Sequence, residues 1–300
     1  MSSAYAFEEP QSARHGPVFD RWNPCAPPTK MSRFMVFRPK TDQSWEYFGK
    51  NDPYFGVITR DVYKTDQLNQ QTKKEFFASG ESHVNWIFDI INHDLVAGFR
   101  PSRALDFGCG VGRLVIPLGR RCDSVVGVDV SESMLHTAAL NIKEHGLTNV
   151  TFVKGDDKLS NLSGRFDFIH SFIVFQHIPP NRGVAILRRQ IELLQDDGVG
   201  ALHFTYGYAS SASTGRRLLT FAEQKIPFVS ALRSLLKGGR LNEPQMEMYQ
   251  YDVNQLLRIL QECGCHRWYP RFTETNVRGN AFYGVLLCFQ KRATDVQAHG

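Results

Sequence analysis

The sequence predicts an α/β fold: a seven-stranded, mostly parallel sheet with an antiparallel hairpin at one edge. Three observations carry this expectation. Short apolar runs alternate with helical stretches from about residue 102 to 206, the pattern of strands covered by helices on both faces. A helical stretch over 252–263 is then followed by two strand-like runs, 266–273 and 281–291, which meet across Arg278-Gly279-Asn280 as a hairpin would. Residues 207–250 interrupt this rhythm and are too long for a plain connection, so they read as an inserted cap.

The elements follow in order. Residues 1–65 form an N-terminal extension. Its first thirty residues are punctuated by Pro10, Gly16, Pro17, Pro24, Pro27 and Pro28 without a periodic apolar face, and read as weakly structured. Met31 is a second candidate start. Residues 34–63 scatter aromatics such as Trp45, Phe48, Tyr54 and Phe55 among polar residues, which suits a segment that packs onto something larger. Two helices are expected at 66–78 and 82–97, separated at Ser79-Gly80; Val84, Ile87, Phe88, Ile91 and Leu95 line one face of the second. The expected strands are Arg103–Phe107, Ser124–Asp129, Val150–Lys154, Phe166–Ser171 and Gly198–Thr205, with helices starting near Gly112, Ser131 and Asn181. The core thus comprises 66–206 and is completed by 251–292, with the cap at 207–250 between them and a tail at 293–300.

Composition bounds the function classes. The chain has 300 residues, 42% hydrophobic and 22% charged, with a formal net charge of +5, as expected of a globular protein large enough to bury a substantial core. Its basic residues are scattered rather than gathered in a stripe, so nucleic acid is not the favoured partner. Cys25, Cys109, Cys122, Cys263, Cys265 and Cys288 lack zinc-ligand spacing and read as reduced thiols. Neither a secretory leader nor an apolar run of roughly 18 residues is present, so no membrane association and a cytoplasmic location are expected.

The chemistry centres on Ala104-Leu105-Asp106-Phe107-Gly108-Cys109-Gly110-Val111-Gly112-Arg113, where a strand runs into a glycine-rich turn and then a helix. Missing side chains let a ligand approach the backbone, and a helix start offers free N–H groups. The spacing departs from the dinucleotide fingerprint, because Arg113 stands at the sixth position. Asp106 would repel a pyrophosphate but accepts hydrogen bonds from an ammonium. Asp129 ends the next strand, where a carboxylate can hold both ribose hydroxyls, although a turn or capping role is the alternative. S-adenosylmethionine has an ammonium, a carboxylate and a ribose, and no phosphate. Met134 fits either an adenine contact or the core.

With these residues the chain resembles the class I, Rossmann-like S-adenosylmethionine-dependent methyltransferases, by motif over about 80–206 and by topology over 252–291. Asp106–Gly112 resembles the family's first motif and Val128-Asp129 its acidic second. Val153-Lys154-Gly155-Asp156-Asp157 resembles the third, in which Asp156, with Asp157 as competitor, faces the adenine amino group. The resemblance implies S-adenosylmethionine as donor and S-adenosylhomocysteine as product. It implies a binding site from Asp106, Gly108, Cys109, Gly110, Gly112, Asp129, Val130, Met134, Asp156, Asp157, Ser171 and Phe172. Phe172 to His177 follow where the family places donor and acceptor. His177 is the candidate general base, set against a structural histidine, and Gln176, Tyr206, Met248 and Tyr249 are candidate acceptor contacts. Pro179-Pro180 preceded by Ile178 departs from the branch that methylates exocyclic base amines, and Ser171 stands where the metal-dependent branch needs a carboxylate, so no metal is expected. The expectation is therefore methyl transfer to a small molecule, with oxygen favoured by the histidine. A methyltransferase of RNA or protein, a non-catalytic binding module and a nicotinamide oxidoreductase are the alternatives.

Overall fold

The computed structural model describes residues 41–210, 244, 246–277 and 280–292. All fall within one compact unit, Arg38–Gly300. The expected loose segment at 1–30, most of the cap, the tip of the hairpin and the tail lie outside them.

The seven strands are β1 (Arg103–Phe107), β2 (Ser124–Asp129), β3 (Val150–Lys154), β4 (Phe166–Ser171), β5 (Leu194–Ser210), β6 (Cys265–Val277) and β7 (Asn280–Lys291). They lie in the order β3-β2-β1-β4-β5-β7-β6. β1 to β5 pair in parallel, while β7 runs antiparallel to both β5 and β6. The strand order reverses between β1 and its neighbours β2 and β4, so loops leaving the carboxyl ends of these strands diverge and open a crevice there.

Both faces of the sheet are buried. Helices α1 (Thr41–Asn51), α2 (Pro53–Val57), α3 (Gln70–Ile90), α4 (Val115–Gly119) and α5 (Glu132–Glu144) supply one cluster, in which Phe48, Phe76, Val84, Ile87 and Ile116 meet Ala104, Phe168 and Leu286. Helices α6 (Pro180–Leu193) and α7 (Val253–Glu262) supply the other, in which Ile186, Leu187, Leu256 and Ile259 meet Leu105, Ile169 and Phe204. Each fully buried side chain of this size contributes about 1.5–3 kcal/mol relative to exposure.

Three features differ from the sequence reading. The two helices expected on either side of Ser79-Gly80 are one, α3, opened by a capping box between Asn69 and Thr72. Gly80 sits inside it because the carbonyl of Arg113 occupies the place of a side chain; close helix contact, not a break, explains the glycine. Beyond Ile90 the helix widens into a π turn over Ile91–Leu95. Next, the helix expected from Gly112 begins only at Val115, so turns fill 110–114. Finally, β5 runs on to Ser210 and pairs with β7 along that length, so the first residues of the expected cap extend the sheet.

The aromatic N-terminal segment packs as its composition suggests. Glu46 of α1 accepts from Ser131 Oγ (2.8 Å), Ser133 Oγ (2.7 Å) and Ser133 N (3.3 Å) at the start of α5. Burial would raise its pKa, but these hydrogen bonds outweigh it and hold the carboxyl at about 2. Tyr54 of α2 donates to Asn141 Oδ1 at 2.8 Å.

Candidate active site

The glycine-rich loop is tied down by its own neighbours. Gly108 N and Cys109 N both donate to Val128 O, at 2.7 and 2.9 Å. Gly110 N donates to Asp129 Oδ2 and Ser131 N to Asp129 Oδ1, both at 2.9 Å. The N–H groups of Gly108, Cys109 and Gly110, expected to be free for a ligand, are thus satisfied within the protein, and α4 begins only at Val115. Gly108, Gly110 and Gly112 all have positive φ, of 74°, 52° and 87°. A Cβ at Gly110 would stand 2.5 Å from Val57 Cγ2, so α2 lies directly over the loop.

Asp129 takes the turn and capping role and also faces the cavity. Its carboxylate braces the glycine loop and the α5 entry, and it also lines the cavity below α2. Burial pushes its pKa up to about 6, against the hydrogen bonds from Ser131, Gly110 and Val130 that favour its charge. Asp156 Oδ1 accepts from Lys158 N and Ser160 N at 3.0 and 2.9 Å, and these backbone bonds, led by Ser160, hold its pKa down. Asp157 is engaged by Arg182, whose Nε and terminal nitrogen reach its two oxygens at 2.7 and 2.6 Å, while the same guanidinium reaches Asp42 of α1 at 3.1 Å. Of the two competitors for an adenine contact, Asp157 is therefore the one already held in an ion pair.

His177 is locked on both sides. Its Nδ1 lies 2.8 Å from the carbonyl of Glu247, which can only accept, so Nδ1 carries the proton. Its Nε2 lies 3.1 Å from the side-chain nitrogen of Gln176, whose oxygen accepts from Thr205 Oγ1 at 2.8 Å. Burial pushes the imidazole down to about 4, only partly offset by the Glu247 carbonyl. Together with Tyr249 N to Gln176 O (2.6 Å) and Tyr251 N to Thr205 O (2.9 Å), this network zips residues 247–251 onto the sheet end. Both ring nitrogens of His177 are thus engaged, Nδ1 by the Glu247 carbonyl and Nε2 by Gln176.

A second set of polar groups lies on the α3 face of the sheet. His170 stands in register with Asp106 across β1 and β4, and its Nδ1 lies 2.8 Å from Asp106 Oδ1. His83 of α3 reaches His170, Nε2 to Nε2, at 3.3 Å. The ring of Phe172 packs between His83 and His203 in tilted contacts, with centroids at 4.1 and 4.8 Å. His203 Nε2 bonds Thr273 Oγ1 at 2.9 Å, and its ring occupies the space a side chain at Gly284 would fill. A glycine inside a strand marks such a close approach. Arg113 Nε and His203 Nδ1 are buried without a partner. Ile173, beside Phe172, is held at φ 61°; a β-branched residue there is strained, which is common at functional sites.

One cavity of about 940 Å³ is lined by Asp106, Asp129, Asp156, Phe172, His177 and His203, at the upper end of the range for small-molecule sites. It runs along the carboxyl edge of the sheet, from Asp156 and Asp157 after β3, past Asp129, Val130 and Asp106, to Thr273 and Thr275 on β6. Gly108, Cys109, Gly110, Met134, Phe172, Gln176, His177 and Met248 also line it. Met134 is at the same time core, 2% exposed. The other expected site residues do not reach the cavity. Gly112 faces Ala138 of α5, and Ser171 is buried with its hydroxyl donating to Phe107 O at 2.9 Å. Tyr206 packs against Phe272 and Tyr283, and Tyr249 is tied to Glu247. Sequence reasoning missed Trp45, Val57 and Ile58 as the cover, Arg182 as the partner of Asp157, and Arg113, Thr205 and Thr273 as wall. Among the described residues no group of three His, Cys, Asp or Glu could hold a metal ion, and no helix is long and apolar enough to cross a membrane.

Residues 104–198 match a family model described as a methyltransferase domain. Over 127 residues the chain is 28% identical to the 23S rRNA (uracil(1939)-C(5))-methyltransferase RlmD of Photobacterium angustum, covering 42% of this chain and 53% of that one. Over 97 residues it is 31% identical to the ubiquinone biosynthesis O-methyltransferase of Pseudomonas aeruginosa, covering 32% and 39%. The chain therefore spans about half or less of the length of the curated relatives it matches. The magnesium protoporphyrin IX methyltransferase of Synechocystis, solved with S-adenosylhomocysteine, is similar with a TM-score of 0.52 at 21% identity, over 84% of this chain and 100% of that one. The N-methyltransferase NodS of Bradyrhizobium japonicum, also with S-adenosylhomocysteine, has a TM-score of 0.51 at 12% identity, over 84% and 99%. At such identities the likeness is one of fold.

Proposed function

Through its methyltransferase domain at 104–198 the chain belongs to the class I S-adenosylmethionine-dependent methyltransferases, and on that premise we propose that it methylates a small, uncharged acceptor. The observation that carries this reading is the single cavity with two unlike ends. At one end Asp106, Asp129 and Asp156 stand at the ends of β1, β2 and β3 below α2. At the other, the lining side chains from β5, β6 and β7 (His203, Thr205, Thr273, Thr275, Phe282), with Met246 and Met248, include no Lys, Arg, Asp or Glu among the described residues.

The carboxylate end fits the donor. Asp129 would hold the ribose hydroxyls, and Asp106 with Arg113, whose Nε has no partner, would hold the ammonium and carboxylate of an amino-acid end. Bound there, S-adenosylmethionine supplies a methyl group on an already activated sulfonium. Trp45, Val57 and Ile58 exclude water from above. Phe172, Ile173, Met246, Met248 and Phe282 offer an apolar bed for the acceptor, with the hydroxyls of Thr205 and Thr273 as its polar points. Positioning then supplies most of the acceleration. Because His177 is neutral and engaged at both nitrogens, the reading does not rest on it as a base, and the oxygen preference that it motivated has no support from its geometry.

The test is calorimetry with S-adenosylmethionine and S-adenosylhomocysteine, with Asp129→Ala as control, followed by labelled-donor assays on small aromatic acceptors and on RNA. Micromolar donor binding that Asp129→Ala abolishes, with label passing to small molecules, is the expected result. Label passing to RNA alone would replace the acceptor reading, and absence of donor binding would sink the whole of it.

A further inference from the structure

We infer that His170 and His83 are positioning residues that orient the Asp106 carboxylate toward the ammonium of the bound donor. This rests on the donor reading above and adds to it two side chains that do not line the cavity.

The argument begins with Asp106, a carboxylate only 2% exposed. An unpaired carboxylate so placed is costly and takes up a proton. Its Oδ1 accepts from His170 Nδ1 at 2.8 Å, and His170 is itself 1% exposed. Register places the two residues opposite each other on β1 and β4, so the backbone ladder fixes the approach of the side chains. Asp106 Oδ2 receives no hydrogen bond from any described residue, and Asp106 lines the cavity. One oxygen is thus spent on orientation and the other is left for a ligand.

The second histidine completes the chain. The two Nε2 atoms, 3.3 Å apart, share a single proton. His170 Nδ1–H is committed to Asp106, whichever of the two rings carries the proton between the Nε2 atoms. Burial, followed by the neighbouring His170, Arg113 and His203, keeps His83 neutral at about 2. The proton on His170 Nδ1 therefore points at Asp106. Phe172, in tilted contact with His83 at 4.1 Å, holds that ring in place.

The test compares two ligands. S-adenosylhomocysteine carries the amino-acid end, while 5′-methylthioadenosine shares its nucleoside and lacks that end. His170→Leu is expected to weaken S-adenosylhomocysteine roughly 10- to 100-fold, the worth of a hydrogen bond to a charged group, and to change methylthioadenosine by less than about twofold. His170→Asn, whose amide nitrogen can stand near Nδ1, is expected to restore most of the loss. His83→Leu is expected to show the same selectivity at smaller size, and reports on the proposal even where His170→Leu folds poorly. Equal weakening of both ligands, or no weakening of S-adenosylhomocysteine, would overturn the proposal. Failure of the unaltered protein to bind S-adenosylhomocysteine would instead count against the donor reading itself.

Discussion

The guanidinium of Arg182 joins Asp157, in the loop after β3, to Asp42 in the first turn of α1. One α6 side chain therefore fastens the N-terminal helices to the donor end of the sheet. Arg182→Ala should leave two cavity carboxylates unpaired. Because the group is about one-third exposed, the stability loss should be modest, about 1 kcal/mol. The larger effect should be faster proteolysis within 41–63 and weaker donor binding, checked by limited digestion with and without S-adenosylhomocysteine.

Gly110 tests the cover over the loop. Gly110→Ala puts a methyl group into Val57 and forces a side chain onto a backbone with φ 52°. A stability loss of about 1–3 kcal/mol is expected, read from denaturant midpoints. Gly110→Ala combined with Val57→Ala should recover the steric part, leaving only the backbone strain.

Donor binding should depend on pH through Asp129. With its pKa pushed up to about 6 by burial, the carboxylate is ionised at neutral pH and protonated below. A protonated carboxyl accepts more weakly from ribose hydroxyls and from Gly110 N. The dissociation constant for S-adenosylhomocysteine should therefore rise as pH falls through about 6. Asp129→Asn should bind weakly at every pH, without that inflection.

Acid should destabilise the fold earlier than carboxylate protonation alone would. His83, His177 and His203 are pushed down to about 2, 4 and 4 from an ordinary 6.5, in each case chiefly by burial. Their unfolded forms take up protons first, so their contribution is complete above pH 6.5 and is lost as pH falls toward 4. Asp129, with a raised pKa, acts in the opposite sense between about 6 and 3.8, one group against three. Denaturation midpoints should fall steeply between pH 6.5 and 4.5, and the fall should flatten in His177→Asn and His203→Asn.

The first four strands were legible in the sequence to the residue, because each is a short run with apolar residues bounded by a turn; β1, β2 and β4 are largely buried, and β3, at the sheet edge, is partly exposed. The glycine loop and Asp129 were legible for the same reason: strand, glycine and acid are local signals. What was not legible was non-local. Gly80 looked like a helix break because its neighbour, Arg113, is distant in sequence. The engagement of His177 by Glu247 depends on a segment seventy residues away. The Asp106–His170 pair follows from strand register, which the sequence implied only once β1 and β4 were known to be neighbours.

The way α1 and α2 close over the site also fixes an order of events on the ribosome. Glu46 and Ser131 are 85 residues apart, and Tyr54 and Asn141 87. At about 5–20 residues per second, the nascent chain carries Trp45, Phe48 and Phe55 without their docking surface for roughly 4–17 s. The segment translated before α5 thus waits for its docking surface, and until α5 emerges its aromatics are a natural target for chaperones.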